Sequence, residues 1–284
     1  MNLKSIENQI KTIVLLGLLT ALLLWLGNYF AGSLGLTFAF IIVLVMNLIS
    51  YFFSDKIVLA LYRAKEVQKD SRIYKLVSEV VNKFEIPMPK VYLIKTNNPN
   101  AFATGRNPKN SAVAFTEGIL NLLNDDELKG VIAHELSHIK NRDTLIATIA
   151  SVIAGTISYL ASMARWAAFF GGFNERERGK SLLELLVLAI LAPLIALIIQ
   201  LAISRQREYL ADSTAAKITK KPNYLADALL KIEKGVKENP LNFGTETTAS
   251  LFIANPFNAN ALLNLFSTHP SIKDRVEKLR KMKF

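Results

Sequence analysis

Two histidines four residues apart, His134 and His138, flank a glutamate in the run Val131-Ile-Ala-His-Glu-Leu-Ser-His-Ile139. Positions four apart share one face of an α-helix, one turn above the other, so both imidazoles can offer a nitrogen to the same metal ion. Glu135 sits at the rim of that face, within reach of a water on the metal. H-E-x-x-H on a helix is how zinc peptidases hold their ion and their general base. The plainer reading is two hydrogen-bonded histidines on an ordinary helix. Against it, the chain has three His in all and two of them are here. The flanks Val131, Ile132, Leu136 and Ile139 also predict a buried helix, where unpaired imidazoles are costly.

Catalytic zinc takes three protein ligands and keeps one position for water. The chain has no Cys, which excludes disulfides and thiolate ligands and leaves His or a carboxylate as the third. No further His follows His138 at the spacing of a metzincin. Further on, Arg205-Gln-Arg207-Glu208-Tyr-Leu-Ala211-Asp212 places two carboxylates four apart on one helix face, directly after an apolar run. Read for chemistry, Glu208 ligates the metal, and Asp212 accepts a hydrogen bond from the far nitrogen of His134 and fixes its tautomer. Read without it, the pair belongs to a salt-bridged surface helix with Arg205 and Arg207. The residues alone leave both open. The third histidine, His269, precedes Pro270 in Ser267-Thr-His-Pro-Ser271. It either caps and packs or donates to an oxyanion, with Arg275 in the last helix assisting.

Composition sets where these residues can sit. Apolar residues make up 51% of the 284, mean hydropathy is positive, and the net charge is +11 from 34 Lys+Arg against 23 Asp+Glu. The basic residues flank apolar runs. Anionic lipid and membrane topology therefore account for them, and no nucleic-acid partner is expected. Ile13–Phe30 and Leu36–Phe53 are uncharged runs near the ~20 residues needed to span a bilayer, joined by the turn 31–35. A signal peptide has a shorter apolar core that ends at a small-residue cleavage site. Between Asp55 and Lys90 stand Lys56, Arg63, Lys65, Lys69, Arg72, Lys75, Lys83 and Lys90, while the turn 31–35 carries no charge. By the positive-inside rule the N-terminus and the chain after residue 54 face the cytoplasm.

Two more apolar runs, Thr144–Ala164 and Leu185–Ile203, separate the H-E-x-x-H helix from Glu208. If both cross, the two halves of the site share the cytoplasmic side, but the basic loop 165–180 then lies outside, against the positive-inside trend. If neither crosses, they form a hairpin that dips into the bilayer or packs on the domain. Hydropathy favours four spans.

The remaining segments read as a soluble core. Ser71–Phe84 is an amphipathic helix. Lys90–Ile94, Ala101–Thr104 and Ala112–Thr116 are short strands, the last two joined by a turn over 105–110. Asn124 caps the H-E-x-x-H helix with Glu127 at its third position. Tyr224–Lys234 and Ile272–Met282 are helices, and 235–262 is loop-like, a lid or cleft wall. An edge strand beside a metal helix can pair with an extended substrate, and Asn100, Ala101, Phe102 and Ala103 are the residues nominated for it.

Taken in order, H-E-L-S-H, R-Q-R-E-Y-L-A-D, S-T-H-P-S, N-A-F-A-T-G at 100–105 and A-F-T-E-G at 114–118 resemble the HtpX heat-shock membrane metalloproteases, relatives of the CAAX-prenyl endopeptidases. The resemblance runs over essentially the whole chain. It implies an α+β, mainly α, multi-pass membrane protein whose zincin-like (gluzincin) catalytic domain carries a small β-sheet. The expected parts are a membrane hairpin at 1–54, a first half of the protease domain at 55–143, a second hairpin at 144–203 and a second half at 204–284. It implies one Zn2+ per subunit held by His134, His138 and Glu208, with Glu135 catalytic and Asp212 behind a ligand. It places His269 and Arg275 near the metal. It implies an endopeptidase of the cell membrane, facing the cytoplasm, whose partners are misfolded membrane proteins and the lipid bilayer. Two alternatives are a CAAX-type processing peptidase, for which four spans are too few to enclose a cavity, and a non-enzymatic membrane chaperone with structural zinc. A structural site would be closed by four protein ligands, and three are in view.

Overall fold

The H-E-x-x-H segment lies inside a helix whose start is fixed by its own side chains. Asn124 accepts from the backbone N–H of Glu127, and Glu127 returns a bond to the Asn124 N–H, closing a capping box. Asp125, Asp126 and Glu127 put negative charge on the positive end of the helix dipole. Lys231 also reaches Glu127 at 2.7 Å.

In this computed structural model the described residues are 58–170, 182–241, 252–253 and 269–284, with 14, 15, 17–26, 29, 37, 41, 45, 52, 53, 55 and 56. The helices are α1 (Gly17–Leu26), α2 (Arg72–Val81), α3 (Glu117–Leu122), α4 (Asp125–Lys140), α5 (Asp143–Phe170), α6 (Leu182–Thr219), α7 (Pro222–Glu238) and α8 (Ile272–Arg280). The strands are β1 (Lys65–Glu66), β2 (Lys90–Ile94), β3 (Ala101–Asn107) and β4 (Asn110–Thr116). The chain is therefore mainly helical with one small mixed sheet. The expected turn at 31–35, nearly all of the Leu36–Phe53 run, most of the loop 165–180 and the bulk of the loop 242–268 lie outside the described residues.

The chain divides into two units, Met1–Ser50 with Ile146–Ile203, and Tyr51–Leu145 with Ser204–Phe284. In the second unit the sheet order is β1-β2-β4-β3. β2 runs parallel to β4, and the other pairs are antiparallel. β3 is thus an edge strand. Beneath the sheet, α2, α4, α7 and α8 share one core that includes Val77, Phe84, Phe115, Leu128, Ile132, Leu136, Leu229 and Leu279. Gly130 lets α7 approach the back of α4. A Cβ there would lie 2.6 Å from the Leu225 backbone nitrogen. Gly130→Ala is therefore expected to destabilise the unit by about 1–3 kcal/mol through overpacking, read as a lowered denaturant midpoint. A midpoint equal to wild type would show that the α4–α7 contact is looser than described.

Three sequence expectations change. The hairpin strands are longer than expected, because Pro108-Lys109 alone makes the turn. Gly105 takes φ +120°, the register shifts between Gly105 and Asn107, and the Asn107 side chain accepts from the Asn110 N–H at 3.0 Å. The two-residue turn is thus flanked by a bulge and capped by the Asn107 side chain. Residues 235–238 are helix rather than loop: Gly235 is there because Pro99 packs where its Cβ would be, and the Asn239-Pro240 step stops α7. β1 is a two-residue strand with no periodicity to announce it.

The first unit has an inverted pattern. Its interior is lined with small residues, Ala150, Ala154, Ala192 and Ala196, beside Leu19, Leu23, Leu26 and Ile157. Others of its large apolar side chains, among them Leu18, Leu24, Trp25, Tyr159, Ile190 and Ile198, are exposed. Among the described residues one helix, α6, is long and apolar enough to cross a membrane, through its uncharged stretch 185–203. Pro193 lies within it without ending it.

Candidate metal centre

The charged residues of the candidate site all belong to the second unit. α4 carries His134, Glu135 and His138; α5 opens on Asp143; α6 carries Arg207, Glu208 and Asp212; α8 carries Arg275, with His269 just before it.

Each ligand histidine is oriented from behind. His134 Nδ1 lies 3.0 Å from Asp212 Oδ1, and His138 Nδ1 lies 2.7 Å from Asp143 Oδ2. An ionised carboxylate only accepts, so each Nδ1 carries the hydrogen and each Nε2 presents its lone pair. The two Nε2 atoms face each other at 3.0 Å. Two lone pairs at that distance repel unless a cation, a proton or a metal ion, stands between them. Glu208 closes the third side, with Oε2 3.4 Å from His134 Nε2 and Oε1 3.4 Å from His138 Nε2. One donor atom from each of the three residues lies within 4.8 Å of the others. Donors about 2.0–2.2 Å from a tetrahedral zinc stand about 3.3–3.5 Å apart, close to these separations. The residues fit a divalent metal.

The electrostatics agree. Burial depresses His138 to about 3 despite Glu208. Burial and Arg275 also act to lower His134, but hydrogen bonds to Asp212 and Glu208 outweigh them and raise it to about 9. Burial works against the charge of Glu208, yet His269 and Arg275 hold its carboxyl well below the usual range. Asp212 is likewise lowered, burial being overcome by Arg275. Glu135 is different: burial pushes it up to about 7. A carboxylate poised near neutrality suits proton transfer. It also accepts a hydrogen bond from the backbone N–H of Ala103, which ties it to the edge strand.

Arg275 is wholly buried, with its guanidinium forked onto Asp212: Nε 2.9 Å from Oδ2 and Nη2 2.8 Å from Oδ1. Its Nη1 is 3.3 Å from Glu208 Oε2. Nη2 is nearly equidistant from both nitrogens of His134, 3.4 and 3.3 Å. Behind Asp143 stands Arg207, whose Nη2 donates to Asp143 Oδ1 and, at 2.9 Å, to the carbonyl of Asn141. His269 Nδ1 is 3.3 Å from Glu208 Oε2.

With this geometry in hand the chain can be compared with known proteins. The sequence profile of peptidase family M48 matches residues 67–283. The chain belongs to that family. Proteins called protease HtpX homolog from Syntrophobacter fumaroxidans and Pyrococcus abyssi are 50% and 51% identical to it over 280 and 275 residues. These matches cover 97% and 96% of this chain and 99% and 95% of theirs. The crystal structure of S. mikatae Ste24p superposes with a TM-score of 0.60 at 20% identity, covering 96% of this chain and 66% of that one. That likeness speaks for the fold alone. As a member of family M48 the chain is a metalloprotease, and the resemblance read from its motifs holds.

Of the residues singled out from sequence, His134, Glu135, His138, Glu208, Asp212, His269 and Arg275 come together at this centre. Asn100, Ala101 and Phe102 are fully buried at or beside the start of β3, and Ala103 reaches Glu135. Outward-facing edge groups are partly engaged within the chain, since the Ala101 carbonyl accepts from the Ile253 N–H at 3.1 Å. Arg275 is wholly buried with its guanidinium forked onto Asp212, which places it to hold that carboxylate. Asp143 escaped the sequence reading, and Arg207 entered it only as an ion-pair partner on a surface helix.

Proposed function

We propose that this M48 metalloprotease is a multi-pass zinc endopeptidase of the cell membrane, with its active site on the cytoplasmic side, that cleaves misfolded membrane proteins. The observation that carries the catalytic part is the convergence of two tautomer-fixed imidazoles and Glu208 beside a buried Glu135. The membrane part rests on the large apolar side chains exposed around the first unit, over an interior in which Ala150, Ala154, Ala192 and Ala196 pack with Leu and Ile, a pattern suited to lipid and costly in water. Basic residues on both flanks of the first apolar pair support the orientation.

His134, His138 and Glu208 would hold the zinc. Bound there, zinc supplies Lewis acidity, polarising the scissile carbonyl and making water more acidic. Glu135 accepts the proton of the attacking water and later delivers it to the leaving amine. The Ala103 N–H holds that carboxylate in position. His269 donates to the carbonyl oxygen as negative charge develops on it. Asp212 and Arg275 act as positioning residues behind His134. The edge strand from Ala103 onward is the place for an extended substrate to pair, and that requires an unfolded segment rather than a folded domain.

Metal removal tests this reading. Casein cleavage by the purified full chain in detergent should stop on chelation and return with stoichiometric zinc. Cleavage that survives full chelation would refute it. So would zinc-dependent stability with no cleavage, the behaviour of an adaptor with structural zinc.

A further inference from the structure

The His134 side of the centre follows the E-x-x-x-D pattern on α6. The His138 side rests on Asp143, which no motif named, and on Arg207, which stands in R-Q-R-E-Y-L-A-D with no role assigned at the metal. Asp143 Oδ2 meets His138 Nδ1 at 2.7 Å, and Asp143 Oδ1 accepts from Arg207 Nη2, whose second bond goes to the Asn141 carbonyl at 2.9 Å. Asp143 and Arg207 are 6% and 5% exposed, so water does not substitute for either. We infer that Asp143 and Arg207 are positioning residues that set the tautomer of His138 for metal binding, with Arg207 dictating which way the side chain at 143 is turned. The inference rests on the ligand reading of His138.

Asp143 has two acceptor oxygens: one takes the His138 Nδ1–H, the other the guanidinium. His138 is then locked with its lone pair on Nε2, facing His134. The two relays, His134–Asp212–Arg275 and His138–Asp143–Arg207, are equivalent in kind. His138 is nonetheless the more open ligand, its side chain 17% exposed against 1% for His134, so its orientation depends more on this brace. Arg207 also adjoins Glu208 in sequence, so the brace and the third ligand sit on one turn of α6.

Replacing Asp143 by Asn changes one oxygen into an amino group at constant shape. The charge-assisted bond from Arg207 claims the amide oxygen. The amino group then faces His138 Nδ1, which must become an acceptor, and Nε2 takes the proton and cannot ligate. Asp143→Asn should therefore weaken zinc affinity at least as much as Asp143→Ala, about 10–100-fold. Adding Arg207→Met removes the donor that orients the amide. The amide can turn its oxygen to Nδ1–H, so the double variant should bind zinc about tenfold tighter than Asp143→Asn alone.

The measurement is the zinc Kd of the full chain in detergent, by competition with a chromophoric chelator. The thermal midpoint of the chelated protein is recorded alongside. A merely structural brace predicts that the double variant is worse than either single one, in midpoint and in Kd alike. That result overturns the inference, as does an Asp143→Asn Kd within threefold of wild type. Recovery of affinity in the double variant, whatever its midpoint, supports it.

Discussion

Glu135→Gln is expected to keep its zinc and its fold while kcat/KM for casein or a peptide substrate falls by about 10²–10⁴-fold, the usual contribution of a positioned general base. Glutamine has the same shape and can still accept from the Ala103 N–H through its amide oxygen. Glu135 is not among the three residues whose donor atoms converge, so the metal should remain. Burial disfavours the Glu135 charge and lifts its carboxyl to about 7. A neutral amide therefore costs the buried site nothing, and the thermal midpoint should hold or rise. Activity within tenfold of wild type would remove Glu135 from the chemistry.

Glu208→Ala should act in the opposite way, through the metal. Glu208 is the carboxylate nearest both Nε2 atoms, 3.4 Å from each. It also meets Arg275 and His269 at 3.3 Å. Without it the site keeps two imidazoles and loses the carboxylate whose oxygen converges with them. Zinc affinity should fall by more than the roughly 10–100-fold that loss of an outer partner costs, and cleavage should drop to background. Zinc content after dialysis at fixed free zinc, measured beside the chelator Kd, reads this out. A variant that binds zinc within tenfold of wild type would mean that Glu208 is not a ligand.

How much of this was legible in the sequence depends on how local the cause is. The capping box at Asn124 and Glu127 and the spacing of His134 and His138 are set within a few residues, and the helix forms as they indicate. The pairing of Glu208 with Asp212 is equally local. Residue chemistry offered a link to histidines some seventy residues earlier but left a surface salt-bridge reading open beside it, and the family resemblance decided between them. Asp143 and Arg207 lie 64 residues apart, and each reads alone as an ordinary charged residue at the end of an apolar run. Their signal was there in part: Asp143 is the last charge before a long uncharged stretch, a costly place for a carboxylate with no partner. Arg275 was found for its position near the site, but its burial against Asp212 depends on how α8 packs, and no periodicity encodes that. The hairpin strands were read too short because Gly105, Asn107 and Asn110 are turn-forming types that here stand in or beside the ladder.

The central claim, that His134, His138 and Glu208 hold one zinc in an open site, is tested most directly by anomalous diffraction at the zinc edge from crystals of the zinc-loaded chain. The account predicts a single peak about 2.0–2.2 Å from His134 Nε2, His138 Nε2 and a Glu208 oxygen, with no fourth protein ligand. A peak elsewhere, or one closed by four protein ligands, would contradict it.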